Sequence, residues 1–423
     1  MKLRITSLAA GGDGLGRLDD GRVVFVEGGV PGDLVELADL RLGKRMANAR
    51  VGRVLEASPD RVEPRCPHFG RCGGCSWQHV RYEAQLEAKR AIVRDALERI
   101  GGLSSGPEVE IVGSPDPYNY RARARLVETG AGVGYRRRGS HESISVDHCP
   151  ILVPTARVKL RELSDRLRES PAVNAASRSR SKRRPLPQWE ILAGSAGSAQ
   201  ALQVGKRSAM RPTVEIKVLG ESLQATVGSF VQGNSLLWDA LANEVRSQCL
   251  SMGAGMPLGT PRGLNAKPRF VELFAGIGFL TLPLARAGCR GVVFESGRDA
   301  LEDLAKNLDR AGFASEIDII RGRVERQDGW AGRFAEADLL LLDPPRTGLE
   351  PALRRAVAKF GPQRVVYVSC DPATLARDLR EMLAQGYRLA ALKAIDLFPQ
   401  TSHVEVVVRL ERNAGTIGGP NRA

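Results

Sequence analysis

Aromatic side chains are scarce: Phe, Trp and Tyr make up 5% of the 423 residues, so any stacking surface for flat ligands is small. No apolar run is long enough to span a bilayer, which excludes a helical membrane protein. The N-terminus, Met1-Lys2-Leu3-Arg4-Ile5, lacks the apolar core of a secretory signal. A cytoplasmic location with no membrane partner is therefore the expectation. In that compartment the seven cysteines do not read as structural disulfides. No internal repeat recurs, so a solenoid is excluded. Acidic residues are the charge in deficit. The 48 Asp and Glu stand against 62 Lys and Arg, leaving a net charge of +14. That excess favours a polyanionic partner, RNA or DNA, over a merely soluble basic protein.

What is present is a globular balance, 26% charged and 43% hydrophobic, on a chain long enough for two or three cored domains. To about Ser58, short apolar strands such as Arg22-Val23-Val24-Phe25-Val26 alternate with Gly and Asp turns, as in a small β-barrel. A cysteine-rich loop follows, then a helical spacing from Tyr82 to Ile100 that ends at Gly101-Gly102. Arg121 to Val127 alternates Arg with small apolar residues, as a strand with one basic face would. The Ser/Arg/Lys run 177–184 reads as a mobile loop, with a nucleic-acid contact as the sharper option. From Phe270 onward strands and helices alternate. Candidate strands are Phe270–Phe274, Gly291–Glu295, Ile317–Ile320, Leu339–Asp343, Arg364–Ser369 and His403–Leu410, separated by helical stretches such as Asp299–Arg310 and Glu350–Lys359. This predicts a doubly wound α/β domain with ligands at the carboxyl ends of its strands.

The first of those strands enters a glycine turn, Phe274-Ala275-Gly276-Ile277-Gly278. Such a turn lets backbone N–H groups approach a nucleotide-like cofactor, although the third glycine of the dinucleotide fingerprint is missing. Glu295 closes the second strand, where a carboxylate accepts hydrogen bonds from ribose hydroxyls. Asp343-Pro344-Pro345-Arg346 ends a later strand, and its tandem prolines stiffen a loop over the pocket. Together these favour S-adenosylmethionine as cofactor. Downstream, Ser369-Cys370-Asp371-Pro372 presents a thiol at a strand end, and His403-Val404-Glu405 a carboxylate at the edge of an apolar run. A nucleophile and a base beside a methyl donor suggest methyl transfer through a covalent cysteine adduct.

Cys66, Cys72 and Cys75 share one short loop whose Pro67, Gly70, Gly73 and Gly74 let the backbone wrap a centre, and Cys149 is the natural fourth ligand. Four thiolates suit a [4Fe–4S] cluster or a tetrahedral zinc ion. The gap between Cys66 and Cys72 is wider than in radical enzymes that bind adenosylmethionine at such a cluster, so a structural or recognition role is expected. Cys249 and Cys289 read as core residues.

These motifs resemble the RNA uracil-5-methyltransferase family, nearly end to end. The resemblance rests on the glycine-rich N-terminal segment, Ser58-Pro59-Asp60-Arg61, and the cysteine loop through Gln78-His79. It continues through Phe230-Val231-Gln232-Gly233-Asn234, the cofactor turn, Asp343-Pro344-Pro345-Arg346-x-Gly348, Ser369-Cys370-Asp371-Pro372 and His403-Val404-Glu405. It implies a multidomain α/β fold: a TRAM-like, OB-like RNA-binding barrel over 1–58, a central α+β cysteine-cluster domain over 59–228, and a Rossmann-like class I methyltransferase domain over 229–423. The helix 82–100 is expected to pack on the catalytic domain. The implied activity makes 5-methyluridine in RNA, with 23S ribosomal RNA favoured and transfer RNA or another RNA base as alternatives. Cys370 would be nucleophile and Glu405 base. Gln232, Phe274, Glu295 and Asp343 would contact the cofactor, and Cys66, Cys72, Cys75 and Cys149 would ligate iron. No obligate protein partner is evident, and a monomer is expected. Two positions depart from the family pattern: Phe279 stands where many relatives carry Asn, and Arg321 near where relatives carry a carboxamide or carboxylate.

Overall fold

The computed structural model describes residues 1–103, 108–169, 186–206, 211–251 and 267–413. The Ser/Arg/Lys run 177–184 lies outside them. The first six strands are β1 (Lys2–Arg4), β2 (Ser7–Leu8), β3 (Gly14–Arg17), β4 (Val23–Glu27), β5 (Leu34–Leu42) and β6 (Met46–Glu56). They form one sheet in the order β1-β5-β6-β4-β3-β2. The sheet curls until its ends meet: the Thr6 N–H donates to Leu15 O at 2.7 Å. Inside lie Leu3, Ile5, Leu18, Val24, Val26, Val35 and Ala47, which alternate with outward residues as a pleated strand requires. Two contacts seat this barrel on the cysteine-rich segment. Asp33 is fully buried and pairs with Arg61 at 2.6 Å, and the Trp77 indole N–H donates to Gly12 O at 2.9 Å.

Helix α1 (Tyr82–Arg99) comes next, followed by β7 (Glu110–Val112), β8 (Arg123–Thr129), β9 (Gly132–Arg136) and β10 (Ser143–Ser145). Then come α2 (Pro154–Glu169), β11 (Gln188–Ala193), β12 (Ala199–Gln203) and the hairpin β13 (Thr213–Val218) with β14 (Glu221–Thr226). The central sheet runs β10-β9-β8-β11-β12. Ala156, Leu160, Leu163 and Leu167 of α2 are buried at helical spacing, and α2 lies against β9, β11 and β12 of that sheet.

The C-terminal part holds α3 (Trp238–Leu250), β15 (Arg269–Leu273), α4 (Thr281–Arg286), β16 (Arg290–Glu295), α5 (Arg298–Ala311) and β17 (Ile317–Arg321). It continues with α6 (Trp330–Ala335), β18 (Leu339–Leu342), α7 (Pro351–Phe360), β19 (Arg364–Ser369), α8 (Pro372–Ala384), β20 (Tyr387–Ile395) and β21 (Glu405–Arg412). Its sheet runs β17-β16-β15-β18-β19-β21-β20-β7. The first five strands of that order are parallel; β21 is antiparallel to both neighbours. Strands covered on both faces read as unbroken apolar runs, and Leu339–Leu342 and Arg364–Ser369 are buried throughout. Strand order reverses between β15 and β18, which opens a crevice at their carboxyl ends. Two strands of this sheet were not read from sequence. β20 fills the place between β21 and β7, and β7 comes from far upstream to pair parallel with β20, Ile111 opposite Ala394. Among the described residues no helix is long and apolar enough to cross a membrane.

Candidate active site

The crevice is built from three strand ends. Directly after β15, Phe274 takes φ +68°, a left-handed conformation that an aromatic residue keeps only where its surroundings hold it. The turn continues with φ +59° at Gly276 and +90° at Gly278. A Cβ on Gly278 would stand 2.9 Å from Leu304 Cδ1, so this glycine serves both the turn and the close seating of α5. Glu295 at the end of β16 braces the turn: its Oε2 accepts the Gly276 N–H at 2.8 Å, and its Oε1 accepts the N–H groups of Ser296 and Gly297 at 2.6 Å. At the end of β18, Asp343 Oδ2 accepts the Gln232 Nε2–H at 3.3 Å. Gln232 is buried, and its carbonyl accepts the Trp238 indole N–H at 2.8 Å. The structure thus gathers Gln232, Phe274, Glu295 and Asp343 at one mouth. Phe279 is buried and packs in the core, while Arg321 is exposed at the end of β17 in register with Glu295.

Cys370 is the first residue past β19. Immediately after it, Asp371 caps α8, its Oδ1 accepting the N–H groups of Ala373 at 3.0 Å and Thr374 at 2.9 Å, with Pro372 in the first turn. Strand β21 returns antiparallel with Ser369 opposite Val406, and the register continued by one position sets Cys370 across from Glu405. Glu405 is buried, and the thiol is half-buried. Burial pushes the thiol up to about 12, the negative charges of Glu405 and Asp343 add to this, and Arg346 opposes it. Burial also lifts Glu405 well above the usual carboxylate range, with Asp343 reinforcing the rise and Arg346 resisting it. Asp343 rises to about 7 for the same first reason, against the hydrogen bond from Gln232. One guanidinium, that of Arg346, therefore opposes the rise of both the Cys370 thiol and the Glu405 carboxyl. A cation entering this mouth favours their ionised forms.

Comparison with known proteins fits this constellation. Residues 264–413 match the family model described as tRNA (Uracil-5-)-methyltransferase, and residues 1–37 match the TRAM domain. The chain is 34% identical to the 23S rRNA (uracil(1939)-C(5))-methyltransferase RlmD of Alkalilimnicola ehrlichii, across 98% of this chain and 97% of that protein. It belongs to the RNA uracil-5-methyltransferase family. An uncharacterised RNA methyltransferase of Gloeobacter violaceus is also 34% identical, across 97% of this chain and 96% of its own length. The crystal structure of Pyrococcus abyssi tRNA (uracil-54, C5)-methyltransferase in complex with S-adenosyl-L-homocysteine shares the fold. Its TM-score is 0.71 at 24% identity, covering 97% of this chain and all of that one.

Two residues of this RNA methyltransferase had no role from sequence. Arg346 is the cation of the site, and its only signal was its place directly after Asp-Pro-Pro. Phe230 is 57% exposed beside the crevice, with the Arg123 guanidinium 5.5 Å from its ring centre. The basic strand read at 121–127 is partly neutralised, because buried Glu190 pairs with Arg123 at 2.7 Å and Arg125 at 3.4 Å.

The four cysteines assigned to a centre lie together but are not drawn into a tight ring. Gly73 N–H donates to Arg136 O at 3.0 Å and Cys72 bridges Arg137, which zips the cysteine loop to the end of β9. Burial raises the thiols of Cys72, Cys75 and Cys149, and each also feels at least one other member of the set. Arg121 counters all three rises, and no carboxylate among the described residues pairs with it. All four are free thiols. Among the described residues no three such donors converge on a common point as they stand. The donor chemistry, four neighbouring thiols beside a cation, fits a thiolate-held centre of net negative charge. Cys249 and Cys289 are buried in the core.

Proposed function

We propose that this protein methylates C5 of a uridine in RNA, with Cys370 as nucleophile, Glu405 as base and S-adenosylmethionine as methyl donor. The observation that carries this reading is the β19–β21 register, which sets thiol and carboxyl across from each other beside the wall of Gln232, Phe274, Glu295 and Asp343. S-adenosylmethionine, when bound there, supplies an electrophilic methyl carbon and a positive charge. Glu295 at the end of β16 would accept hydrogen bonds from its ribose hydroxyls. Arg346 and the N-terminus of α8 favour the Cys370 thiolate. C5 of uracil is a weak nucleophile. The Cys370 thiolate adds to C6, forming a C–S bond and an enolate whose C5 takes the methyl group, the donor's methyl–sulfur bond breaking so that S-adenosylhomocysteine leaves. Glu405 then removes the C5 proton, the C5–C6 double bond re-forms, and Cys370 leaves as thiolate.

Duplex stacking hides C5 and C6, so the target base enters unpaired or flipped. Exposed Phe230 with Arg123 at its face offers a stacking platform at the rim. The net charge of +14 suits a polyanion. Ribosomal RNA is favoured over transfer RNA, because full-length relatives with 30% identity or more are named for 23S rRNA. Cys66, Cys72, Cys75 and Cys149 would hold a [4Fe–4S] cluster, in preference to zinc on the family resemblance, in a structural or recognition role. The test is transfer from labelled donor to RNA followed by nucleoside analysis. Cys370→Ala should lower turnover by at least about a thousandfold, and Glu405→Gln should trap a protein–RNA adduct that survives denaturing gels. Label in an exocyclic amine instead of 5-methyluridine would overturn the proposal.

A further inference from the structure

We infer that Gln85, buried on α1 beyond the cysteine loop, is a positioning residue for Glu405; this rests on the assignment of Glu405 as base. The connection 396–404 between β20 and β21 carries neither helix nor strand, and it sets where Glu405 enters the sheet. Within it Gln400 is 3% exposed and adopts φ +68°, a left-handed conformation that a side chain keeps only under constraint.

That constraint comes from far away in the chain. The Gln400 carbonyl accepts the N–H groups of Ser76 and Trp77, both at 2.9 Å. Its own N–H donates to Gln85 Oε1 at 2.9 Å, and its Oε1 accepts from Gln85 Nε2 at 3.1 Å. Its Nε2 donates to Pro117 O at 3.3 Å. The Gln85 amide, wholly buried, also donates to Trp77 O at 3.1 Å and Val80 O at 2.8 Å. One side chain thus holds both the peptide that grips Gln400 and Gln400 itself. The same stretch of chain adds Lys89, which donates to Phe398 O at 3.0 Å, and Tyr120, which donates to Pro399 O at 2.9 Å. Ser76 and Trp77 follow Cys75 directly, so ordering of the cysteine loop and ordering of the base-bearing connection are linked through these amides.

Cys370 is held differently, by the end of β19 and the Asp371 cap of α8. Loosening the clamp therefore displaces the base and leaves the nucleophile in place. Adduct formation and methyl transfer proceed, and removal of the C5 proton stalls. A merely structural role lowers both halves of the reaction together.

The experiment uses the full chain with substrate RNA and S-adenosylmethionine, quenched over time on denaturing gels. Gln85→Leu removes the amide hydrogen bonds at similar volume. It should raise the trapped methylated adduct at least about tenfold over wild type and lower kcat, while adduct formation slows less than about threefold and the KM for RNA holds. Gln400→Gly accepts the left-handed backbone without strain and keeps the carbonyl contacts, so it should show the same split in milder form. Turnover without adduct, or an equal fall in adduct formation and turnover in both variants, overturns the inference. Glu405→Gln is run beside them. If it traps adduct and the Gln85 and Gln400 variants do not, only the positioning role fails; if it traps none, the assignment of the base fails and the inference falls with it.

Discussion

Glu272 is a carboxyl buried near the end of β15, below the cofactor turn, and its replacement by Gln has a calculable effect on stability. Burial raises it from 4.5 to about 8; the charges of Asp343 and Glu295 add to the rise, and the hydrogen bond from Thr281 Oγ1 at 2.6 Å opposes it. In the unfolded chain the same group ionises near its ordinary value. Between those two values the folded state holds a proton that the unfolded chain has lost, so stability falls as pH rises through the window and levels off above the folded value. The limiting slope is about 1.4 kcal/mol per pH unit, and because the carboxyl is half ionised at its folded value the loss between about pH 6 and about pH 8 is about 2 kcal/mol. Gln is nearly isosteric, its carbonyl can accept the Thr281 hydroxyl, and it does not titrate. Denaturant unfolding of both proteins at these two pH values, followed by Trp fluorescence, measures the difference. The wild type should lose about 2 kcal/mol more than Glu272→Gln over the interval. Parallel losses in the two proteins would refute the reasoning, since the carboxyl would then titrate alike in the folded and unfolded states.

Asp303 on α5 is fully buried and accepts hydrogen bonds from Thr226 N at 2.7 Å, Thr226 Oγ1 at 2.8 Å, Ser229 Oγ at 3.0 Å and Gln224 Nε2 at 3.0 Å. Asp303→Ala strands these donors at a cost of about 3 kcal/mol and frees the segment leading to Gln232. Calorimetric titration with S-adenosylhomocysteine should show affinity weakened about tenfold. Lys89 and Asp396 form an ion pair at 2.5 Å with both side chains wholly buried. Lys89→Met leaves the Asp396 carboxylate uncompensated, costs about 3–5 kcal/mol and should lower the melting temperature by roughly 10 °C. An unchanged melt would show that the pair is dispensable.

Much of the catalytic chemistry is written locally. A glycine turn after an apolar strand, an Asp-Pro-Pro at a strand end and a Cys-Asp-Pro at a helix start each declare their geometry within a few residues, because turn sterics and helix capping act over that range. The six strands expected in the C-terminal domain are therefore all present, and Arg364–Ser369 has the bounds read from sequence. The sheet edge was not legible. β7 has three residues, too few for a periodic signal, and it becomes a strand only because β20 offers it a partner. α1 was legible as a helix, but Gln85 and Lys89 look like its solvent face. Their burial depends on Gln400 and Asp396, more than three hundred positions away. Arg346 is legible only as the residue after Asp-Pro-Pro until folding brings it to Cys370 and Glu405.

Sequence alone determined the candidate thiol and carboxyl and the strand ends that bear them, since nearest-neighbour backbone preferences suffice for that. Tertiary structure decided which groups face each other, which carboxyls burial lifts and what anchors the connection that leads to Glu405. Those properties arise from registers, burial and hydrogen bonds between distant segments, and no local pattern encodes them.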